Sequence, residues 1–563
     1  MQGTMHTKPA AFQRLRSGTG FEVGSLLQVF ASLLWLPQAG LLAYALQRLM
    51  DGAGIAAVYL PAVLIFILGL VRAVCDAAGV RRIFKTARAE LSLMREQVAA
   101  SLAARSPLDA ARPASGLAAS VMAEQAEAVI PYLTRYRPAR LRTMIVPLAI
   151  LMVVTPLSWI AALVLLIAAP LIPMFMALVG WRAKAASEAQ MVEMGGMNAF
   201  LLDRLRGLAT LRTLGAIEAT ALRLHASAQA LRMRTMAVLR IAFMSSAVLE
   251  LFAALGVAMV AVYIGFHLLG QLEYGAWGTR LTLGQGVFIL LLSPAFFEPL
   301  RELSAVWHDR AAGDAALEAL DNLTADGLLL PDAGTTSNEA VAATVHAAPT
   351  VTIRQLSFAY QGSHASVFDC LDLQIAAGER VAVMAASGGG KSSLLALIAG
   401  LLPLPQGSIA IDGVLLSAHS AAGLRKRMAW IGQKPHIFAG SVHANVALRR
   451  DGVSATDVAA ALKFAELEGV AQARPGIALG EGGAGLSGGE AVRLALARAA
   501  ADPHADLLLV DEPTAHLDQA TALQVSDALL QLAQGKTMIV ATHDPVLAAR
   551  MDRVILLQAE EQA

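Results

Sequence analysis

Cysteine is nearly missing from this chain. Two occur in 563 residues, Cys75 and Cys370. They fall in stretches of opposite character, which excludes a disulfide framework as the organising principle. Cys75, near a helix end, reads as a small apolar side chain. Charge is scarce too: Asp, Glu, Lys and Arg make up 15% of the residues, with a formal net charge of +1. That balance lacks the electrostatic footprint of a nucleic-acid binder. The first 22 residues carry Lys8, Arg14 and Arg16 but not the short apolar core and cleavage site of a signal peptide. What fills the chain instead is apolar. It is 56% hydrophobic with a mean hydropathy of +0.57, too apolar for an ordinary soluble protein.

Apolar stretches long enough for a bilayer recur as far as residue 300. They cover about 23–49, 55–74, 144–156, 160–180, 241–269 and 281–299, the third and sixth interrupted by prolines and polar residues. Six spans place both termini on one side of a membrane. Between the second and third stretches lie Arg81, Arg82, Lys85, Arg88 and Arg95 with further arginines. Between the fourth and fifth lie Arg182, Lys184, Arg204, Arg206 and Arg212 with others. The opposite connections hold almost no Lys or Arg, so the positive-inside rule makes both long segments and both termini cytoplasmic. Each long segment exceeds ordinary loop length. Each also shows helical spacing of apolar residues, as in Phe200, Leu201, Leu205 and Leu208. The reading is that membrane helices continue into the cytoplasm, turn and return, with a turn at 112–116. The hairpin tips are then placed to press on the second half of the chain.

Few ionisable residues lie at membrane depth. Glu250 is the clearest, either a functional acid or a carboxylate satisfied by a cavity or a neighbouring helix. Trp307 and His308 follow the sixth stretch, and His308 is either a ligand for an aromatic or metal-bearing molecule or a structural histidine. Residues 323–349 lose periodicity and read as a linker.

From residue 350 the pattern becomes soluble α/β. An apolar strand, Arg380 to Met384, leads into Ala385, Ala386, Ser387, Gly388, Gly389, Gly390, Lys391 and Ser392, and a helix follows from Ser393. A glycine-rich turn at a helix N-terminus turns backbone N–H groups and the positive end of the helix dipole toward phosphate. Lys391 is placed for the β/γ-phosphates of ATP and Ser392 for Mg²⁺. The usual pattern opens on glycine; Ala385 in that place requires a negative φ. Tyr360, upstream on a strand, is spaced to stack on adenine. Gln433 follows a short strand and offers a carbonyl to Mg²⁺ or to the attacking water. Leu486, Ser487, Gly488, Gly489 and Glu490 open another helix and form a second anion site. Within one chain this site is redundant, so it serves a nucleotide held by another ATP domain, which predicts a dimer. A buried strand ends in Asp511, for Mg²⁺, and Glu512, a general base. The last buried strand ends at His543, beside the γ-phosphate. Phosphoryl transfer to water needs these parts, and they occur in order.

This half resembles the nucleotide-binding domain of ABC transporters. The resemblance makes the phosphate loop Walker A, Gln433 the Q-loop and Leu486 to Glu490 the LSGGQ signature with Glu last. It makes Asp511 and Glu512 Walker B with its catalytic glutamate, and His543 the switch histidine. The whole chain is similar to an exporter-type half-transporter. The implied fold is an α-helical membrane domain of six transmembrane helices (23–322, after a cytoplasmic segment 1–22) followed by an α/β P-loop ATPase domain (350–563). In the membrane half, 168–180, 200–207, 234–240, 249–252 and 293–301 resemble the CydD subunits of heterodimeric CydDC transporters. That resemblance implies a bacterial inner-membrane location among membrane lipid and a CydC-like partner. It further implies export of cysteine and glutathione to the periplasm, haem binding or transport, and support of cytochrome bd assembly. The family tends to carry Tyr-His where this chain has Trp307-His308. Two alternatives stay open: a homodimeric lipid or drug exporter, and a haem-binding, ATP-dependent redox sensor without transport.

Overall fold

The computed structural model describes residues 19–171, 207–324 and 347–557 apart from 110, 114, 279, 361–364, 387, 451, 470–478 and 480–485, together with 174, 193, 197, 200–201, 203–205 and 327–331. It divides into two compact units, 1–98 with 114–324, and 99–113 with 325–563.

The first unit is helical. Helices α1 (Thr19–Leu33) and α2 (Trp35–Met50) are followed by α3 (Ala56–Ala104), α4 (Ser115–Ala123) and α5 (Arg137–Val154). Then come α6 (Trp159–Leu171), α7 (Ile217–Leu268), α8 (Leu283–Ala305) and α9 (Trp307–Thr324). Among the described residues four helical stretches are long and apolar enough to cross a membrane: Gly20–Met50, Ala56–Ala104, Glu250–Leu268 and Leu283–Thr324. The third and fourth stretches expected from sequence fall on α5 and α6. α5 has 18 residues and a basic first turn, and α6 is described only to Leu171. The 200–207 repeat of apolar spacing lies partly outside the described residues, because Leu202 and Arg206 are among the omitted positions.

α3 shows how one sequence serves two environments. Its second half buries Gly79, Ile83, Ala87, Leu91, Met94 and Val98, a single stripe at three- and four-residue spacing. Its first half exposes Leu60, Phe66, Leu70 and Val74, the all-round apolar surface that hydrocarbon accommodates. Small residues let helices approach. A Cβ on Gly24 of α1 would lie 3.1 Å from the Gly79 carbonyl oxygen, and one on Gly256 of α7 would lie 2.5 Å from Phe297 Cζ of α8. The core there joins Ile150, Val260, Ile289, Leu292, Phe296 and Phe297. Thr282 and Gln285 cap the start of α8 reciprocally. At the far end of the bundle Ser158 Oγ donates to the Gly275 carbonyl at 2.9 Å, and His267 Nε2 accepts the Leu281 N–H at 3.2 Å.

The second unit holds two sheets. An antiparallel sheet runs β2-β1-β4-β5, from β1 (Val351–Phe358), β2 (Phe368–Ile375), β4 (Gln406–Ile411) and β5 (Val414–Leu415). A parallel sheet runs β6-β7-β8-β3-β9, from β3 (Arg380–Met384), β6 (Met428–Ile431), β7 (Leu507–Asp511), β8 (Thr537–Ala541) and β9 (Arg553–Leu556). β7 and β8 are buried at every residue, as expected of strands covered on both faces.

The boundary between halves is less simple than the sequence suggests. α9 extends to Thr324, and the stretch after it pairs with the end of α3: Leu330 N–H donates to the Ala104 carbonyl at 2.9 Å and Ser106 N–H to the Leu328 carbonyl at 2.8 Å. Ser106 Oγ also donates to the Leu401 carbonyl at 2.6 Å. The turn after α3 thus belongs to the second unit, in contact with the chain just beyond the phosphate-loop helix. Most of the linker expected over 323–349 (332–346) lies outside the described residues.

Candidate functional site

The site forms at the carboxyl ends of β3, β6, β7 and β8, where open parallel sheets place their ligands. The register sets it. Val383 pairs with Ala541, Ala541 with Asp511, and Val510 with Ile431. The residues just past these positions, Ala385, His543, Glu512 and Gln433, therefore leave one edge of the sheet together.

The phosphate loop joins β3 to α10 (Lys391–Ile398). Gly388 and Gly390 have φ of 81° and 82°, a left-handed conformation that favours glycine. A Cβ on Gly389 would meet Ala385 Cβ at 2.8 Å, so the turn has no room for a side chain there. Ala385 itself is not among the described residues with positive φ, which meets the condition its sequence position sets. Ser387 lies outside the described residues. Lys391 is nearly buried; its Nζ donates to the carbonyls of Ala385 at 2.9 Å and Ala386 at 3.3 Å, and lies 3.6 Å from Glu512 Oε1.

Ser392 Oγ donates to Asp511 Oδ1 at 3.0 Å. Burial pushes the Asp511 carboxyl up from its usual range; the Ser392 hydrogen bond opposes this, Glu512 adds to it, and Lys391 opposes it. Glu512 has φ +49°, and its N–H donates to the Ala541 carbonyl at 2.8 Å. Its Oε2 lies 2.5 Å from His543 Nδ1, while the rest of the imidazole is exposed. A hydroxyl beside a carboxylate offers hard oxygen donors of the kind Mg²⁺ takes, and the glycine turn offers N–H groups. These residues fit a magnesium nucleotide.

Tyr360 is partly exposed beyond β1, held by Ser393 through a 2.7 Å hydroxyl contact and by Phe358 edge-on at 5.0 Å. Gln433 is exposed just past β6. The signature residues open α11 (Gly488–Ala500). Ser487 Oγ accepts the Glu490 N–H at 3.3 Å and Glu490 Oε2 accepts the Ser487 N–H at 2.6 Å, a reciprocal cap. Gly489 is buried against α12 (Gln519–Leu532), where a Cβ would come within 2.7 Å of Thr521. Leu486 packs below, and Ser487 and Gly488 stay exposed.

The candidates in the first unit do not converge. Trp307 packs edge-on to Tyr136 at 6.0 Å, and His308 Nε2 lies 3.1 Å from Asp309 Oδ1 with most of its ring exposed. Glu250 is exposed on α7. Among the described residues no group of three His, Cys, Asp or Glu side chains could hold a metal ion. Sequence reasoning missed Arg498. From α11 its guanidinium donates to the carbonyls of Asn445 at 2.8 Å and His436 at 2.6 Å and to Asn445 Oδ1 at 2.8 Å. It thereby fastens the loop after Gln433 to the signature helix. Nothing in its local sequence marks it.

Residues 23–300 match the ABC transporter transmembrane region, and residues 368–515 match the family described as ABC transporter. The chain belongs to the ABC transporter family. This ABC exporter is 36% identical over 526 residues to the transport ATP-binding protein AarD of Providencia stuartii, covering 92% of this chain and 88% of that one. It is 34% identical over 550 residues to the glutathione/L-cysteine transport system ATP-binding/permease protein CydD of Escherichia coli K12, covering 97% and 92%. A solved bacterial Atm1-family ABC exporter shares its fold with a TM-score of 0.74 at 22% identity, covering 98% of this chain and 94% of that one. The exporter is thus a multi-pass membrane protein that hydrolyses ATP, with a helical membrane region before its ATPase domain.

Proposed function

We propose that this ABC exporter uses ATP to move a small thiol compound of the cysteine and glutathione class across the bacterial inner membrane, as one half of a heterodimer with a CydC-like partner. The observation that carries the reading is the 34% identity to the E. coli protein, sustained across 97% of the chain. Six spans with cytoplasmic termini accompany it, by the charge distribution.

The site chemistry follows from its residues. Backbone N–H groups of the glycine turn and the Lys391 ammonium bind the phosphates. Ser392, Asp511 and Gln433 are the residues that would hold Mg²⁺, which when bound neutralises charge on the phosphates. Glu512 accepts a proton from the attacking water, and His543 orients that carboxylate through Nδ1. Tyr360 stacks on the adenine. Ser487 and its helix N-terminus face the partner subunit's nucleotide, which makes hydrolysis a property of the assembled pair.

The test is ATPase activity of the complex with its co-purifying partner, titrated with cysteine, glutathione and haem, with Glu512→Gln as control. Stimulation by a thiol that disappears in Glu512→Gln supports the reading. Stimulation by haem alone contradicts the thiol assignment, and a homodimer with no CydC-like partner contradicts the assembly.

A further inference from the structure

The first unit contains a cavity of about 460 Å³ between α1, α2, α3, α5 and α8. Its volume falls in the range, roughly 300–1,000 Å³, typical of small-molecule sites. Most of its wall is apolar, from residues such as Leu36, Ile150 and Leu291, but four lining side chains are charged: Arg72, Arg142, Glu298 and Glu302. Ionisable side chains set among apolar membrane-type helices are costly and mark ligand paths by default.

The two signs are not fully spent on each other. Arg142 meets Glu302 at two points, Nη2 3.0 Å from Oε2 and Nη1 donating to Oε1 at 3.4 Å, and the buried Arg142 Nε has no hydrogen-bond partner among the described residues. Glu298 pairs with Arg301, which does not line the cavity. Arg72 makes no ion pair among the described residues; its guanidinium lies 5.8 Å from the centre of the Trp35 ring. That ring is fixed by Trp35 Nε1, which donates to the Leu291 carbonyl at 3.3 Å. Pro294 and Pro299 interrupt the hydrogen bonds of α8 along the cavity, and Thr143 Oγ1 ties α5 to the Pro299 carbonyl at 2.7 Å. The cavity thus holds one guanidinium with no ion pair among the described residues, lying over the Trp35 ring, together with two carboxylates.

We infer that this cavity is the binding site for a small zwitterion: Arg72 and Arg142 take a carboxylate, and Glu298 and Glu302 take an ammonium. A guanidinium fork suits a carboxylate, and charge-assisted hydrogen bonds give the strongest discrimination. Balanced charge disfavours a ligand of one sign. No lining residue is specific for sulfur, so the ends of the molecule are recognised and the thiol is tolerated. Free amino acids and short peptides share this chemistry. The inference deepens the export reading and rests on it.

The test is equilibrium binding of radiolabelled glutathione and cysteine to the full complex with its partner in lipid nanodiscs. S-methylglutathione and glutathione diethyl ester serve as competitors. Arg72→Gln breaks no ion pair among the described residues and Glu298→Gln keeps its shape; thermal unfolding of both complexes verifies folding. The inference expects each variant to weaken glutathione binding about tenfold or more, the scale of one charge-assisted contact. It expects S-methylglutathione to compete like glutathione and the ester to compete at least about tenfold worse. Wild-type affinity in both variants, or equal competition by the ester, overturns the cavity assignment. If ATP-driven thiol flux persists in that case, the export reading stands and only the site falls. A wild-type complex that binds neither glutathione nor cysteine overturns both.

Discussion

Glu512 Oε2 sits 2.5 Å from His543 Nδ1, while Glu512 Oε1 faces Lys391 Nζ at 3.6 Å. One carboxylate thus links the ends of two adjacent strands to the phosphate loop. The pairing of Asp511 with Ala541 dictates this, because each catalytic candidate lies just beyond its strand. Glu512→Gln keeps the shape and removes the proton acceptor. The expected outcome is a loss of turnover of about 10²- to 10⁴-fold with nucleotide binding retained. Phosphate release and binding of a fluorescent nucleotide measure the two separately.

Asp511 carries a cost that function imposes. Burial raises its folded-state pKa above the unfolded value. For an acid shifted upward, the favourable contribution is full below the unfolded pKa and is lost as pH rises through the folded one. Without nucleotide, the complex should therefore lose stability relative to Asp511→Asn as pH rises from the ordinary carboxylate range through the raised pKa. Asp511→Asn should flatten that dependence and also lose stabilisation by magnesium ATP. Thermal melts across pH, with and without magnesium ATP, check both.

Arg498 holds three oxygens, one on His436 in the loop after Gln433 and two on Asn445 in the short helix Val442–Ala447. Burial lowers its pKa, yet its fork is matched to the Asn445 and His436 acceptors. Arg498→Ala leaves those groups unpaired and should destabilise the ATPase unit by roughly 2–4 kcal/mol. Arg498→Lys should restore little, since an ammonium cannot span the same acceptors. Denaturant melts followed by hydrogen exchange at 436–445 would locate the effect.

Glu490 stands where the family's signature carries Gln, and the structure gives it a local task. Its carboxylate accepts the Ser487 N–H at 2.6 Å. Glu490→Ala should cost about 0.5–2 kcal/mol at the start of α11. Glu490→Gln keeps an acceptor oxygen and should cost less. The comparison is read from thermal melts and from the ATP dependence of turnover.

The phosphate loop, Gln433, the signature and the Asp511–Glu512 pair were legible because phosphate chemistry demands those residue types at fixed spacing. Membrane helices were legible where the apolar stretch was long, as in α3 despite Pro61 and Arg72. α5 was harder, since its basic first turn and Pro147 blur the span. What escaped depends on tertiary approach. Arg498 meets Asn445 across 53 residues and Ser106 meets Leu401 across 295. Arg72 and Arg142 were not singled out from sequence, because the cavity they line is made by five helices. Ala385 was a conditional reading, and backbone conformation decides it.

The measurement that tests the account most directly is uptake of radiolabelled glutathione and cysteine into sealed inside-out membrane vesicles carrying the complex. ATP-dependent accumulation, absent with a non-hydrolysable nucleotide and absent in Glu512→Gln, is the predicted result. ATP hydrolysis at full rate in the same vesicles, with no accumulation of either compound, would contradict the assignment of this exporter to thiol transport.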